Sequence, residues 1–200
     1  MSDNPISCPL TQFSDALLNN TSLKNAFYHL QHRSGFNINI ILYLLWLAKA
    51  CHGRLTKKQI QLLESHIILW HQRVVSELKY THALVADQTD PAVVHIKEAL
   101  QTEIVKAHHI EQQMLFDSES KRHVLKRNDM QQLADACANL SNYCETRQNL
   151  LIDEDEKVFF QIFCVMFDEL NDIDIRKQLV RAFVRFTLPG RPVQMTWKDF

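Results

Sequence analysis

Glycine and proline are scarce in this chain of 200 residues, with three glycines and five prolines in all. Gly35 and Gly53 are the only glycines before residue 190, and Pro91 is the only proline between residues 10 and 188. Hairpins and βαβ crossovers need turn formers at every reversal, so this shortage excludes a chain rich in strands and predicts helices throughout. Net charge is nearly absent too: 22 basic residues against 23 acidic ones leave a formal charge of −1. No large field would hold such a chain on nucleic acid or an anionic membrane. The five cysteines, at 8, 51, 137, 144 and 164, include no CxxC pair and suit neither a disulfide framework nor a zinc knuckle. They read as small buried apolar side chains, with Cys137 and Cys144 on one helix face. The longest apolar run, IILYLLWLA, ends at Lys49 after nine residues, well short of the roughly 20 that a membrane span requires. Direct membrane insertion is not expected, and MSDNPISCPL offers neither the positive start nor the apolar core of a signal peptide. The expected location is the cytoplasm.

What is present is helical periodicity, punctuated by caps. Residues 10–33 form one or two short helices, interrupted at Asn19 to Ser22, where a Ser or Thr can cap the second. Gly35 supplies a left-handed stop. The run from Ile38 to Ala50 is apolar on every side, so it predicts a helix buried at the centre of a bundle, opened by Asn37 and Asn39. Thr56 and Gln59 have capping-box spacing, which starts a helix near Lys57 that runs to about residue 86. Ile60, Leu63, Ile67, Trp70 and Val74 line one side of it, and 30 residues make a rod of roughly 45 Å. Asp90 and Pro91 then start a further helix, with Val93, Ile96, Leu100, Ala107, Ile110 and Met114 along one stripe. Two long helices joined by a few residues predict an antiparallel hairpin. Glu103 falls near that seam and is read as an edge residue beside an inward Ile104.

Residues 117–128 carry Lys121, Arg122, His123, Lys126 and Arg127, a basic patch that either holds an acidic partner or is a solvated loop. A helix from Asp129 to about Arg147 follows, then an acidic connection at Asp153 to Glu156. The next helix, VFFQIFCVMFDEL, stacks Phe159, Phe163 and Phe167 four apart and puts Phe160 and Met166 on other sides. An all-round apolar helix must be covered everywhere. Either its own chain covers it, or it presents aromatic and methionine surface to a partner protein. A last helix spans roughly 172–187, and the tail ends with Trp197 and Phe200. The expected architecture is all-α: a bundle of about six to eight helices, with residues 1–150 as its body and 151–200 as a C-terminal helical extension and tail packed on it.

Catalytic signatures are missing. No HExxH, no ExxH and no GxSxG occurs, and no glycine-rich loop could cradle a phosphate. His29 and His32, or His108 and Glu111, could each offer two metal ligands from a helix face, but zinc requires three or four. A Cys-His pair built around Cys51 would need geometry that adjacency to His52 does not supply. Neither a metal nor another cofactor is expected, and the chain reads as a non-enzyme. The rival reading is an enzyme or metal-binding helical protein using His, Cys or Glu side chains. A weaker third is nucleic-acid binding through Lys121 to Arg127.

The segments LQHRSGFNINIILYLLW at 30–46 and WHQRVVSELK at 70–79 resemble the signature of a small proteobacterial family of all-helical proteins of unknown function, and EALQTEIVKAHHIEQQMLF extends the similarity to about Phe116. The resemblance brings no reaction, cofactor or catalytic residue. Among such proteins the chain is similar to adaptor subunits of type IV secretion coupling complexes. That similarity implies a virulence-related module working with IcmS- and IcmW-type adaptors on the tail of a coupling ATPase, helping to recruit effectors at the inner-membrane face. The side chains expected to grip such partners are Phe159, Phe160, Phe163, Met166 and Phe167 on the aromatic helix, Lys121, Arg122, Lys126 and Arg127 in the basic segment, and Trp197 in the tail.

Overall fold

The computed structural model describes residues 7–118, 123–148 and 153–183. These are all-α, with no strand among them. The helices are α1 (Pro9–Leu18), α2 (Thr21–Ser34), α3 (Ile38–Lys49), α4 (Lys57–Trp70), α5 (Ser76–Leu84), α6 (Pro91–Asp117), α7 (Asp129–Arg147), α8 (Asp153–Met166) and α9 (Asp172–Phe183). A π-helical turn, His71–Val75, joins α4 to α5, so those three elements form one rod, and the described residues comprise eight rods.

Caps explain most boundaries. Asn20, rather than a Ser or Thr, caps α2, because its carboxamide oxygen accepts from the backbone N–H of Ser22 and Leu23. Gly35 ends that helix in the left-handed region at φ 68°, where a side chain would be strained. The capping box at Thr56 and Gln59 forms as expected, and Asp90 caps α6 in front of Pro91. A second box, Asn128 with Gln131, starts α7.

The core is built around α3. Ten of its twelve residues are buried, Ile40 to Leu45 among them, since α1, α6 and α7 surround it. An apolar helix survives at the centre because each helix satisfies its own backbone polar groups and Asn37 satisfies the first free amides. Its Oδ1 accepts from Asn39 at 2.9 Å and Ile40 at 3.3 Å. α7 clamps the α3–α4 connection through Asn139, which accepts from the Leu55 amide at 2.8 Å and donates to the Gly53 carbonyl at 3.1 Å.

α8 resolves the alternative left open for the aromatic helix in favour of cover by its own chain. Phe159, Phe163, Met166 and Phe167 are buried in the same core as α3. Phe159 stacks on Phe183 of α9 with centroids 5.5 Å apart and meets Phe36 edge-on. Only Phe160 is half-buried, with the Arg176 guanidinium 3.9 Å above its ring. α8 sits on α2 and α9, and its buried Asp155 accepts a hydrogen bond from the Ser34 hydroxyl.

The α4–α5 rod and α6 form the expected antiparallel hairpin, but only its lower half belongs to the body. Ile60, Leu63, Ile67 and Val75 are buried on the first rod, and burial on α6 begins at Ile104. Above these, α5 buries no side chain. The upper half is an arm held by half-buried Leu78, Val93 and Leu100 and closed by Lys97, whose ammonium donates to the Ala86 carbonyl at 2.6 Å. Ile96 departs from the stripe assigned to it and is exposed. Glu103 is exposed and pairs with Lys106 at 2.9 Å, while Ile104 turns inward.

Candidate functional site

Polar side chains converge where the arm leaves the body. Glu111 of α6 is wholly buried. The Asn37 carboxamide donates to its Oε1 at 2.7 Å, and His71 Nδ1 lies 3.1 Å from both carboxylate oxygens. A carboxylate only accepts, so the His71 nitrogen that faces it donates. Deeper in, Asn39 donates to His108 Nδ1 at 2.8 Å, and Gln112 donates to Asn39 Oδ1 at 3.0 Å. Tyr143 of α7 closes the group by accepting from the Asn37 amide at 3.2 Å. The oxygen of the same buried Gln112 carboxamide has no hydrogen-bond partner among the described residues.

The electrostatics follow from burial. His108 is pushed down to about 4, first by burial and then by the nearby Lys79, so its ring stays neutral and accepts from Asn39. Burial also lowers Lys79, opposed by the attraction of Glu111. The π turn begins at His71. One extra residue in the turn shifts the inward register, burying Val75 and leaving Val74 half-buried, while the Trp70 indole N–H reaches the Ala107 carbonyl at 2.9 Å. Single π turns of this kind recur at functional sites. No three of the His, Cys, Asp and Glu side chains among the described residues converge as a metal site.

Of the residues singled out from the sequence, His108 and Glu111 do come together, joined by His71, Lys79, Asn37, Asn39 and Gln112, which sequence spacing did not connect. His29 and His32 separate: His29 lies 3.7 Å from Asp155, and the His32 ring packs tilted against Tyr28. Cys51 has a left-handed backbone at φ 61° and takes a weak contact from the Gln132 amide at 3.5 Å. Cys137 and Cys144 are buried thiols whose burial raises them well above the usual range. In the basic segment, Arg127 pairs with the buried Asp135 at 3.1 Å, beside Arg54 at 2.6 Å, so its charge is spent on anchoring. Lys126 is exposed. Lys121, Arg122 and Trp197 lie outside the described residues.

Uncovered apolar surface is concentrated on the arm, whereas α8 exposes only Val165 among its large apolar side chains described. Tyr80 and Leu84 on α5, and Val94, Ile96 and Val105 on α6, are exposed, as are Leu62 and Leu69 on α4. No helix among the described residues is long and apolar enough to cross a membrane.

These features define an all-α bundle with a projecting hairpin arm and a buried polar junction beneath it. Residues 9–117, from α1 through α6, match the family model described as protein of unknown function, DUF2390, and the chain belongs to that family. The matched region holds the whole arm and every junction residue except Tyr143, while α7 to α9 lie beyond it. No curated protein and no solved structure matches the chain.

Proposed function

We propose that the chain is a non-enzymatic protein-protein interaction module whose hairpin arm docks other proteins. One observation carries this reading: no residue of α5 is fully buried, and the arm leaves Tyr80, Leu84, Val94 and Ile96 in water. Exposed apolar side chains gathered on one projecting element mark interaction surfaces, and aromatic residues supply much of interface energy. The finer assignment draws on the resemblance to LvgA, an adaptor subunit of the Legionella Dot/Icm type IV coupling complex. In that role the module works in the cytoplasm with IcmS- and IcmW-type adaptors on the tail of a coupling ATPase and helps recruit effectors. The exposed Lys126 adds a basic contact for an acidic partner. The test is reconstitution with the ATPase tail and the two adaptors, scored by co-elution. The wild-type chain co-elutes, and Ile96→Asp, on the exposed part of α6, releases it. A wild-type chain that binds none of these proteins overturns the adaptor reading.

A second reading rests on the His71–Glu111 pair. A buried carboxylate orienting a partly exposed imidazole is an arrangement that serves acid-base chemistry. Saturable shifts of the His71 ring resonances with a small ligand, or stoichiometric metal in the purified chain, would favour it.

A further inference from the structure

The most exposed large apolar side chains are not scattered. Among the described residues six are at least 60% exposed, and four of them lie on the α4–α5 rod: Leu62 at 60%, Leu69 at 71%, Tyr80 at 63% and Leu84 at 63%. Helical geometry puts these four along one side. Leu62 and Leu69 are two turns apart, the wider π turn carries the line from Leu69 to Arg73, and turns of three or four residues continue it through Glu77 and Tyr80 to Leu84. Arg73 and Glu77 are exposed, and neither ion-pairs within the described chain.

Read from base to tip, the line is apolar, apolar, positive, negative, apolar, apolar. Reversed end for end, it keeps its apolar pattern and exchanges its two charges. A surface with that property is complementary to itself under a twofold axis, because an isologous contact matches residue i with j and residue j with i. We propose that this side of the rod docks a second copy of the chain, with the two rods antiparallel and the axis passing near Val75. Arg73 of each copy then meets Glu77 of the other, Leu69 meets Tyr80, and Leu84 reaches the stretch between Leu62 and His66. The two symmetry-related ion pairs set the register, and the four apolar side chains of each copy supply the burial. A parallel arrangement would place Arg73 against Arg73 and Glu77 against Glu77, so like charges exclude it. The pairing deepens the reading of the arm as an interaction surface and leaves α6 free for other proteins.

Sedimentation equilibrium of the full chain at rising concentration tests it, with helical content and thermal unfolding confirming that each variant is folded. The wild type passes from monomer to dimer. Leu69→Asp or Tyr80→Asp leaves only monomer. Arg73→Glu and Glu77→Arg each weaken the dimer by about tenfold or more, since each puts like charges together twice per dimer. The double variant, R73E with E77R, recovers wild-type association because the pairs re-form with signs exchanged. A chain that stays monomeric throughout, a dimer that ignores Leu69 and Tyr80, or a double variant no better than its parents overturns the proposal. A monomer that still binds the ATPase tail overturns the self-pairing alone, whereas a dimer that binds none of the named proteins overturns only the adaptor reading.

Discussion

α3 and α5 are both short helices of one chain, yet α3 buries ten of its twelve residues and α5 buries none of its nine. Tyr43 in the first is sealed, while Tyr80 in the second stands in water. Neighbours make the difference. α3 is enclosed by α1, α6 and α7, whereas among the described residues α5 packs chiefly on α6. Folding therefore spends the apolar surface of the body on cohesion and leaves that of the arm available. Where the two regimes meet, the chain places not an apolar layer but Glu111, His71 and Asn37.

The contrast can be broken most severely in the body. Leu44→Ala, at a fully buried position of α3, is expected to cost about 2–5 kcal/mol of unfolding free energy through lost transfer energy and a residual cavity. Denaturant titration measures it.

The junction comes next. Glu111→Ala removes the acceptor of the Asn37 amide and the His71 ring, stranding donors at about 1–3 kcal/mol for each that stays dry. Asn37→Ala also loses the cap of α3, worth about 1 kcal/mol by itself. Both should destabilise far more than a similar change on the arm. Equal effects at the two sites would show the junction to be as tolerant as surface.

The junction should also give the stability curve an acid limb. In the fold His108 resists protonation down to about 4; in the unfolded chain it takes a proton near pH 6.5. The unfolded state therefore binds more protons between these limits, and stability falls as pH drops from about 6.5 toward 4. The loss from this group reaches on the order of 3 kcal/mol at the acid end. Urea midpoints measured across that range should fall less steeply for His108→Gln, which keeps an acceptor for Asn39 and cannot titrate.

The smallest expected effect is on the arm. In solution dilute enough to keep the chain monomeric, Tyr80→Ala and Leu84→Ala should leave unfolding free energy within about 0.5 kcal/mol of the parent, as at other exposed sites. A loss of several times that would mean these side chains are covered within their own chain.

Much of this body was legible from residue patterns. The shortage of glycine and proline pointed to helices, the run after Asn37 to a buried one, and Thr56 with Gln59 and Asp90 with Pro91 to two helix starts. The hairpin followed from the brevity of its connection. Two things were not legible, for different reasons. Periodicity reveals which faces of a helix are apolar but not which neighbour covers them, so Phe163 and Phe167 read equally as core or as docking surface until α2 and α9 were placed against α8. The junction draws on residues at 37, 39, 71, 79, 108, 111, 112 and 143, and only the three-residue step from His108 to Glu111 left a local trace. The π turn that begins at His71 has no signature in residue spacing. It became visible only as a break in the inward stripe, between Val74 and Val75.

Amide hydrogen exchange along the isolated chain, followed at low and at high protein concentration, tests most directly whether the body is sealed and the arm kept for association. The amides of α3 and α7 should exchange only through global unfolding at both concentrations. Those of α5 and the first half of α6 should exchange through local opening when dilute and slow down when concentrated, as the rods pair. An arm as protected as α3 in dilute solution, or one indifferent to concentration, would contradict the account.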